Sequence, residues 1–152
     1  MNNYTNQDVL NFLRNNPIMN IAANNGGKPL SSVVAFVVDS DFTFYFVTHK
    51  NSYKAKALEL NPGISFSIWK HNELLVQGDG VAITGTAHDL DQIISKIASA
   101  TVKIEDFWPP LLQMEDDFYE CYIIKPVWLR VLDLSSKNLH TNEPPFTVIE
   151  IE

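Results

Sequence analysis

The sequence predicts an α+β domain that is mainly β, and three observations carry that prediction. Short apolar runs rich in Val, Ile and Phe alternate with turn residues along most of the 152 residues. Connections such as Asn24-Asn25-Gly26-Gly27 and Ser40-Asp41 are hairpin-like, far too short for the crossover that parallel strands need. Gly78 and Gly80 fall inside a long strand-like run, where glycine marks a bulge or bend and lets a sheet curl. Six to seven antiparallel strands with two or three short helices follow, closing towards a barrel rather than lying as a parallel sheet.

The elements read in order as follows. Thr5 is an N-cap signal, with Asp8 three residues on and Val9, Leu10, Phe12 and Leu13 behind it; Pro17 ends that helix. Ile18 to Ala23 and Pro29 to Asp39 are strands joined by the Asn-Gly turn, and Phe42 to Thr48 is a third. Ser52 caps a short helix carrying Ala55 and Leu58, stopped by Asn61-Pro62. Gly63 to Lys70 is a strand, His71-Asn72-Glu73 a turn, and Leu74 to Gly85 a long strand. Asp89 is read as the cap of a helix with Leu90, Ile93, Ile94 and Ile97 on one face. Trp108-Pro109-Pro110 forbids regular structure locally, and Glu115-Asp116-Asp117 reads as a solvated turn. Phe118 to Ile124 and Val127 to Leu134 read as two strands split by Lys125-Pro126, and Thr147 to Ile151 as an edge strand after Pro144-Pro145. One domain over 1–152 accommodates all of this, with no repeat or linker.

Composition narrows the function. The formal net charge is −7, and the only arginines are Arg14 and Arg130, which argues against a nucleic-acid partner. No apolar run reaches the roughly eighteen residues of a membrane span, and the polar start Met1-Asn2-Asn3-Tyr4 lacks the features of a secretory signal. Cys121 is the only cysteine, so an internal disulfide is excluded and a cytoplasmic location is expected. Within its strand Cys121 reads as a small buried hydrophobe. His49, His71, His88 and His140 show neither i,i+4 pairing nor carboxylates at ligand spacing, so no metal site is expected.

The stretch that carries chemistry runs from Phe44 to Pro62. A strand ends at Thr48, a short turn follows, and a helix begins near Ser52. The hydroxyls of Thr48 and Ser52, the free amides of the first helical turn and the ammonium of Lys54 could converge on one phosphate. His49 and Lys50 are further basic groups there. The alternative is an ordinary N-cap followed by an exposed lysine.

The spacing T-x-x-x-S-x-K followed by Leu and Asn-Pro, met by Thr48, Ser52, Lys54, Leu58, Asn61 and Pro62, resembles the signature of the pyridoxamine 5'-phosphate oxidase-like FMN-binding proteins. Lys28-Pro29 before Ser31-Ser32-Val33-Val34, and Gly85-Thr86-Ala87 before Asp89-Leu90-Asp91, resemble the same family's flanking pieces in the same order. The likeness spans roughly Ile18 to Ala98, with Tyr119 to Leu134 fitting the closing strands. It implies a split β-barrel with short flanking helices, a homodimer, and an FMN in each of two clefts between subunits. By that resemblance Thr48, Ser52 and Lys54 hold the phosphate, and Ser32 with Val33 lines the ribityl chain and ring. Gln77 reaches the pyrimidine edge. Trp128 is either a wall supplied by the partner subunit or a buried tryptophan packing the barrel.

Two departures are notable. Ser32 stands where many members carry an arginine, and Tyr53 where an oxidase has a basic residue. No arginine follows Arg130, so the C-terminal substrate segment of the true pyridoxamine phosphate oxidases is missing and that specific activity is not expected. An FMN-dependent oxidoreductase of unassigned substrate is the leading expectation, because a flavin itself carries the hydride and needs no side-chain nucleophile. A non-catalytic binder of FMN, haem or a deazaflavin, and a cofactor-free dimerisation barrel, are the rivals.

Overall fold

The computed structural model describes residues 4–98, 118–135 and 146–151. The Trp108-Pro109-Pro110 stretch, the acidic turn at 115–117 and the 137–145 tail with His140 lie outside them. In chain order the elements begin α1 (Asn6–Asn15), β1 (Ile18–Asn25), β2 (Lys28–Val38), β3 (Phe44–His49) and α2 (Tyr53–Leu60). They continue β4 (Gly63–Trp69), β5 (Leu74–Thr84), α3 (Ala87–Ala98), β6 (Tyr119–Asp133) and β7 (Phe146–Ile149).

All the strands join one antiparallel sheet in the order β3-β2-β1-β4-β5-β6-β7, and β3 also pairs with β6. That last pairing closes six strands into a barrel and leaves β7 as an extra strand along β6. Alternation then sorts each strand into an inward apolar row and an outward row. Phe36, Phe44 and Phe66 pack in sequence inside, with ring centroids 5.5 and 4.8 Å apart, and Phe46 stacks on Tyr122 at 5.2 Å. α1 adds Val9, Leu10, Phe12 and Leu13 to this core, and α2 adds Ala55, Ala57 and Leu58.

The local chemistry agrees with the elements expected, with four adjustments. The Asn24–Gly27 turn forms with Gly26 and Gly27 at φ 61° and 88°, the left-handed pair a tight hairpin needs, and Asn24 Oδ1 accepts from the Gly27 amide at 2.7 Å. The third strand starts at Phe44 because Phe42 sits at φ 63° in the turn. Asp89 is not the cap of α3: Thr86 is, its Oγ1 accepting from the Asp89 amide while Asp89 Oδ2 accepts from the Thr86 amide. This is a capping box, and Thr5 with Asp8 builds the same device on α1.

The two expected closing strands are one strand of 15 residues, and the edge strand covers Phe146–Ile149 rather than 147–151. Pro126 does not end β6. The register on β5 slips by one residue, Asp79 facing Trp128 but Gly80 facing Pro126, so Val127 is the extra residue of a β-bulge. Gly80 makes the bulge possible: a Cβ there would lie 2.6 Å from the Lys125 carbonyl oxygen.

Candidate functional site at the β3–α2 corner and the open outer face

The sequence-derived candidates fall into two groups. The first gathers where β3 runs into α2. Thr48 is the last inward residue of β3 and is buried. Its Oγ1 lies 3.2 Å from Ser52 Oγ, which also accepts from the Ala55 amide at 3.2 Å as the N-cap of α2. The amides of Tyr53 and Lys54, first in the helix, find no acceptor among the described residues, so donors and the positive end of the helix dipole face outward here. Lys54 is half-buried, and burial pushes its ammonium below the usual lysine range. No carboxylate pairs with it among the described residues. His49 and Lys50 are exposed at the same corner, His49 Nδ1 accepting from the Asn51 amide.

β3 also brings a group of opposite sign. Thr48 faces Glu120 across the β3–β6 pairing, and the Tyr122 hydroxyl donates to Glu120 Oε1 at 2.9 Å. The Ala55 carbonyl of α2 shares that proton from 3.3 Å, the longer arm of a bifurcated bond that ties the helix to the barrel. Burial, then the Glu120 carboxylate, raises the Tyr122 phenol above its ordinary range, so it stays a donor. Glu120 was not a candidate from sequence, since the register of β3 on β6 has no local signature.

The second group lies on the outside of the barrel. Pairing registers align Val33, Asn20, Ser67, Gln77, Arg130 and Val148 as one row across β2, β1, β4, β5, β6 and β7. The neighbouring row holds Ser31, Ala22, Ser65, Asp79 and Trp128. Ser32 and Val33 therefore part company: Ser32 shares the inward row of Val34, and Val33 points outward. Val33 and Gln77 are three inter-strand steps apart, about 14 Å. Trp128 is on the outer face and not in the barrel interior, where its neighbour Leu129 is. Its indole Nε1 donates to Asp79 Oδ2 at 3.2 Å, and Ser65 Oγ donates to Asp79 Oδ1 at 2.7 Å. Arg130 donates through Nε and Nη2 to Gln77 Oε1, at 3.1 and 2.9 Å.

α3 covers another part of the outer surface, over β2, β3 and β6. Leu90, Ile93 and buried Cys121 pack with Ala35, Val37, Tyr45 and Val47. Lys96 closes this contact by donating to Asp39 at 2.6 Å, while Tyr45 donates to the other Asp39 oxygen at 2.7 Å. Cys121 is buried in this contact, and burial raises its thiol above the usual range. Among the described residues no group of three or more His, Cys, Asp or Glu side chains could hold a metal ion, and no helix is long and apolar enough to cross a membrane.

Residues 5–106, more than half of the chain, match the family model described as pyridoxamine 5'-phosphate oxidase. The chain belongs to that family. No curated protein matches the sequence. Solved structures with the same fold include a putative pyridoxamine 5'-phosphate oxidase from Listeria innocua, 17% identical, with a TM-score of 0.67 over 84% of this chain and 98% of that one. An FAD-binding protein from Mesorhizobium loti superposes with a TM-score of 0.64 at 14% identity, covering 84% and 92% of the two chains. A haem storage protein from Vibrio cholerae does so at 0.63 and 19%, covering 79% and 88%.

The family match takes in Ser32, Val33, Thr48, Ser52, Lys54 and Gln77 and leaves out Trp128 and Arg130. Arg130, like Glu120, is a residue that sequence reasoning passed over. Its signal was available: it follows Trp128 by two positions, so in a strand the two share a face.

Proposed function

We propose that this pyridoxamine 5'-phosphate oxidase family member is a homodimeric FMN-binding oxidoreductase, with the FMN phosphate at the β3–α2 corner and the ring along the open outer face. Lys54 carries the reading. A half-buried ammonium with no ion-pair partner among the described residues, beside two hydroxyls and two free helix amides, costs stability unless an anion occupies the corner. Ser52 directs its hydroxyl group there while capping α2, and Thr48 supports it. Val33, Gln77 and Trp128 offer one apolar, one amide and one aromatic contact along the outer rows, which in this reading take the ring. Bound FMN supplies hydride transfer; the chain's own side chains bind and orient it and shield it from water.

The second subunit is supported by the exposure of large apolar residues on and around that face. Val33 is 46% exposed, Trp69 57%, Val127 73% and Val148 70%, apolar surface that a partner subunit would cover. Among the described residues the two outer rows hold no histidine to serve as an axial ligand, which favours a flavin over a haem in this reading.

Titration of the purified full-length chain with FMN tests the proposal. Flavin fluorescence is expected to quench on binding, and the melting temperature to rise as ligand exceeds Kd. Lys54→Met is expected to weaken FMN binding roughly tenfold or more, the loss of one charge-assisted contact, without lowering the melting temperature of the ligand-free protein. A wild-type chain that neither quenches FMN nor gains stability from it would sink the flavin reading. A monomer in light scattering with FMN bound would sink the inter-subunit site alone.

A further inference from the structure

Gln77 is not free to present either end of its amide. Its Oε1 accepts two hydrogen bonds from Arg130, from Nε at 3.1 Å and Nη2 at 2.9 Å. A carbonyl oxygen has two lone pairs, and both are taken. A guanidinium has no acceptor, so the amide cannot flip and still satisfy it. Only the Nε2 hydrogens remain, and they make no hydrogen bond among the described residues. Arg130 is itself held: its guanidinium lies 4.0 Å from the Phe146 ring centroid on β7 and 5.4 Å from that of Trp128. The extra strand β7 thus contributes the ring against which the arginine rests.

We infer that Arg130 is a positioning residue that fixes Gln77 as a pure hydrogen-bond donor, so that the outer face selects a planar ring whose edge presents carbonyl or imine lone pairs. This rests on the flavin reading, and it assigns the polarity of the contact: Gln77 donates to the pyrimidine edge of FMN and cannot accept from it. An edge offering only N–H groups would meet donor against donor and be rejected. Two neutral amide orientations would otherwise be equally available, and a ligand would lose affinity by having to select one of them.

Three variants of the full-length chain, titrated with FMN carrying 13C at its two pyrimidine carbonyls, separate this from a structural role. Gln77→Glu keeps the Arg130 fork, now charged on both sides, and is expected to melt no lower than wild type. It nevertheless replaces donors with lone pairs and is expected to bind FMN about tenfold more weakly, the worth of one good hydrogen bond turned repulsive. Arg130→Leu frees the amide flip together with the Gln77 side-chain torsions, several orientations rather than one, and is expected to weaken binding roughly fivefold, whereas Arg130→Lys still donates to Oε1 and is expected to stay within about twofold. The downfield 13C displacement that a donor causes at a flavin carbonyl should be present in wild type and Arg130→Lys, diminished in Arg130→Leu, where part of the bound population leaves the carbonyl without its donor, and absent in Gln77→Glu. A wild-type affinity and carbonyl signal in Gln77→Glu overturns the donor assignment; the same result in Arg130→Leu overturns the positioning role. Both leave FMN binding intact. A wild-type chain that binds no FMN overturns the flavin reading and this inference with it.

Discussion

Replacing Gly78 with alanine tests how tightly the outer face is coupled to the barrel beneath it. Gly78 is an inward residue of β5, directly between Gln77 and Asp79, and faces Leu129 on β6. A Cβ at this position would lie 2.7 Å from Leu129 Cδ2, from Phe66 Cζ and from the Trp128 carbonyl oxygen. Two of these are core side chains already packed against others, and the third is backbone, so none yields without moving β6. Overpacking of this kind costs about 3 kcal/mol at its upper end, and loss of glycine's freedom in the unfolded chain returns about 0.7 kcal/mol. The net loss is then about 2 kcal/mol, a fall of roughly 4 to 8 °C in melting temperature for a domain of this size. The assay is thermal unfolding by circular dichroism, paired with FMN titration, because the β5–β6 spacing sets the Gln77–Arg130 contact. Gly63→Ala is the control: its Cβ would meet only Asn61 Oδ1, at 3.3 Å. A Gly78→Ala protein that melts within a degree or so of wild type would refute the close-packing argument.

Three further predictions concern single groups. Because burial lowers the Lys54 pKa, the folded chain binds fewer protons than the unfolded one at pH values between the lowered and the ordinary lysine value. Ligand-free stability should therefore rise with pH across that window, and Lys54→Met should flatten the rise, as denaturant midpoints at several pH values would show. Asp39 has the same sign of linkage, but in the acid range. Burial opposes its ionisation, but the hydrogen bonds from Lys96 and Tyr45 win and lower its pKa. Its contribution is then present above the ordinary aspartate range and lost as pH falls through the lowered value; the pair is partly exposed, so Asp39→Asn should cost no more than about 1 kcal/mol at neutral pH and less in acid. Tyr122→Phe keeps the stack on Phe46 but loses the hydroxyl's bonds to Ala55 and Glu120. A loss of about 1 kcal/mol is expected, read from the urea midpoint at an unchanged slope.

Much of the fold was legible because it is written in local patterns. The capping box at Thr5 and Asp8, the Asn-Gly hairpin, the Ser52 cap and the Asn61-Pro62 stop each depend on residues within a turn of one another. The β3–α2 corner, where a phosphate is proposed to bind, was legible for the same reason: Thr48 and Ser52 are close in sequence and meet in space, with Lys54 in the first turn of the helix that Ser52 caps. Where the reading went astray, distant chain segments decided. Pro126 reads as a strand break, yet β6 runs through it, because Gly80 on β5 leaves room for the bulge. Asp89 reads as a cap because a lone aspartate before an apolar run cannot show which partner of a capping box it is.

By itself, the sequence determined the alternation that makes seven strands, the caps that bound the helices, and a cation with two hydroxyls at one helix start. It also placed the chain in its family, through an ordered set of short motifs. The tertiary structure alone decided that Val33, Gln77 and Arg130 share one outward row while Ser32 faces inward, that Glu120 stands opposite Thr48, and that Arg130 commits Gln77 to donating. The physical reason is register. Periodicity says which residues of a strand share a face, but which residue meets which across strands is set by bulges, turns and barrel closure together, and those involve the whole chain.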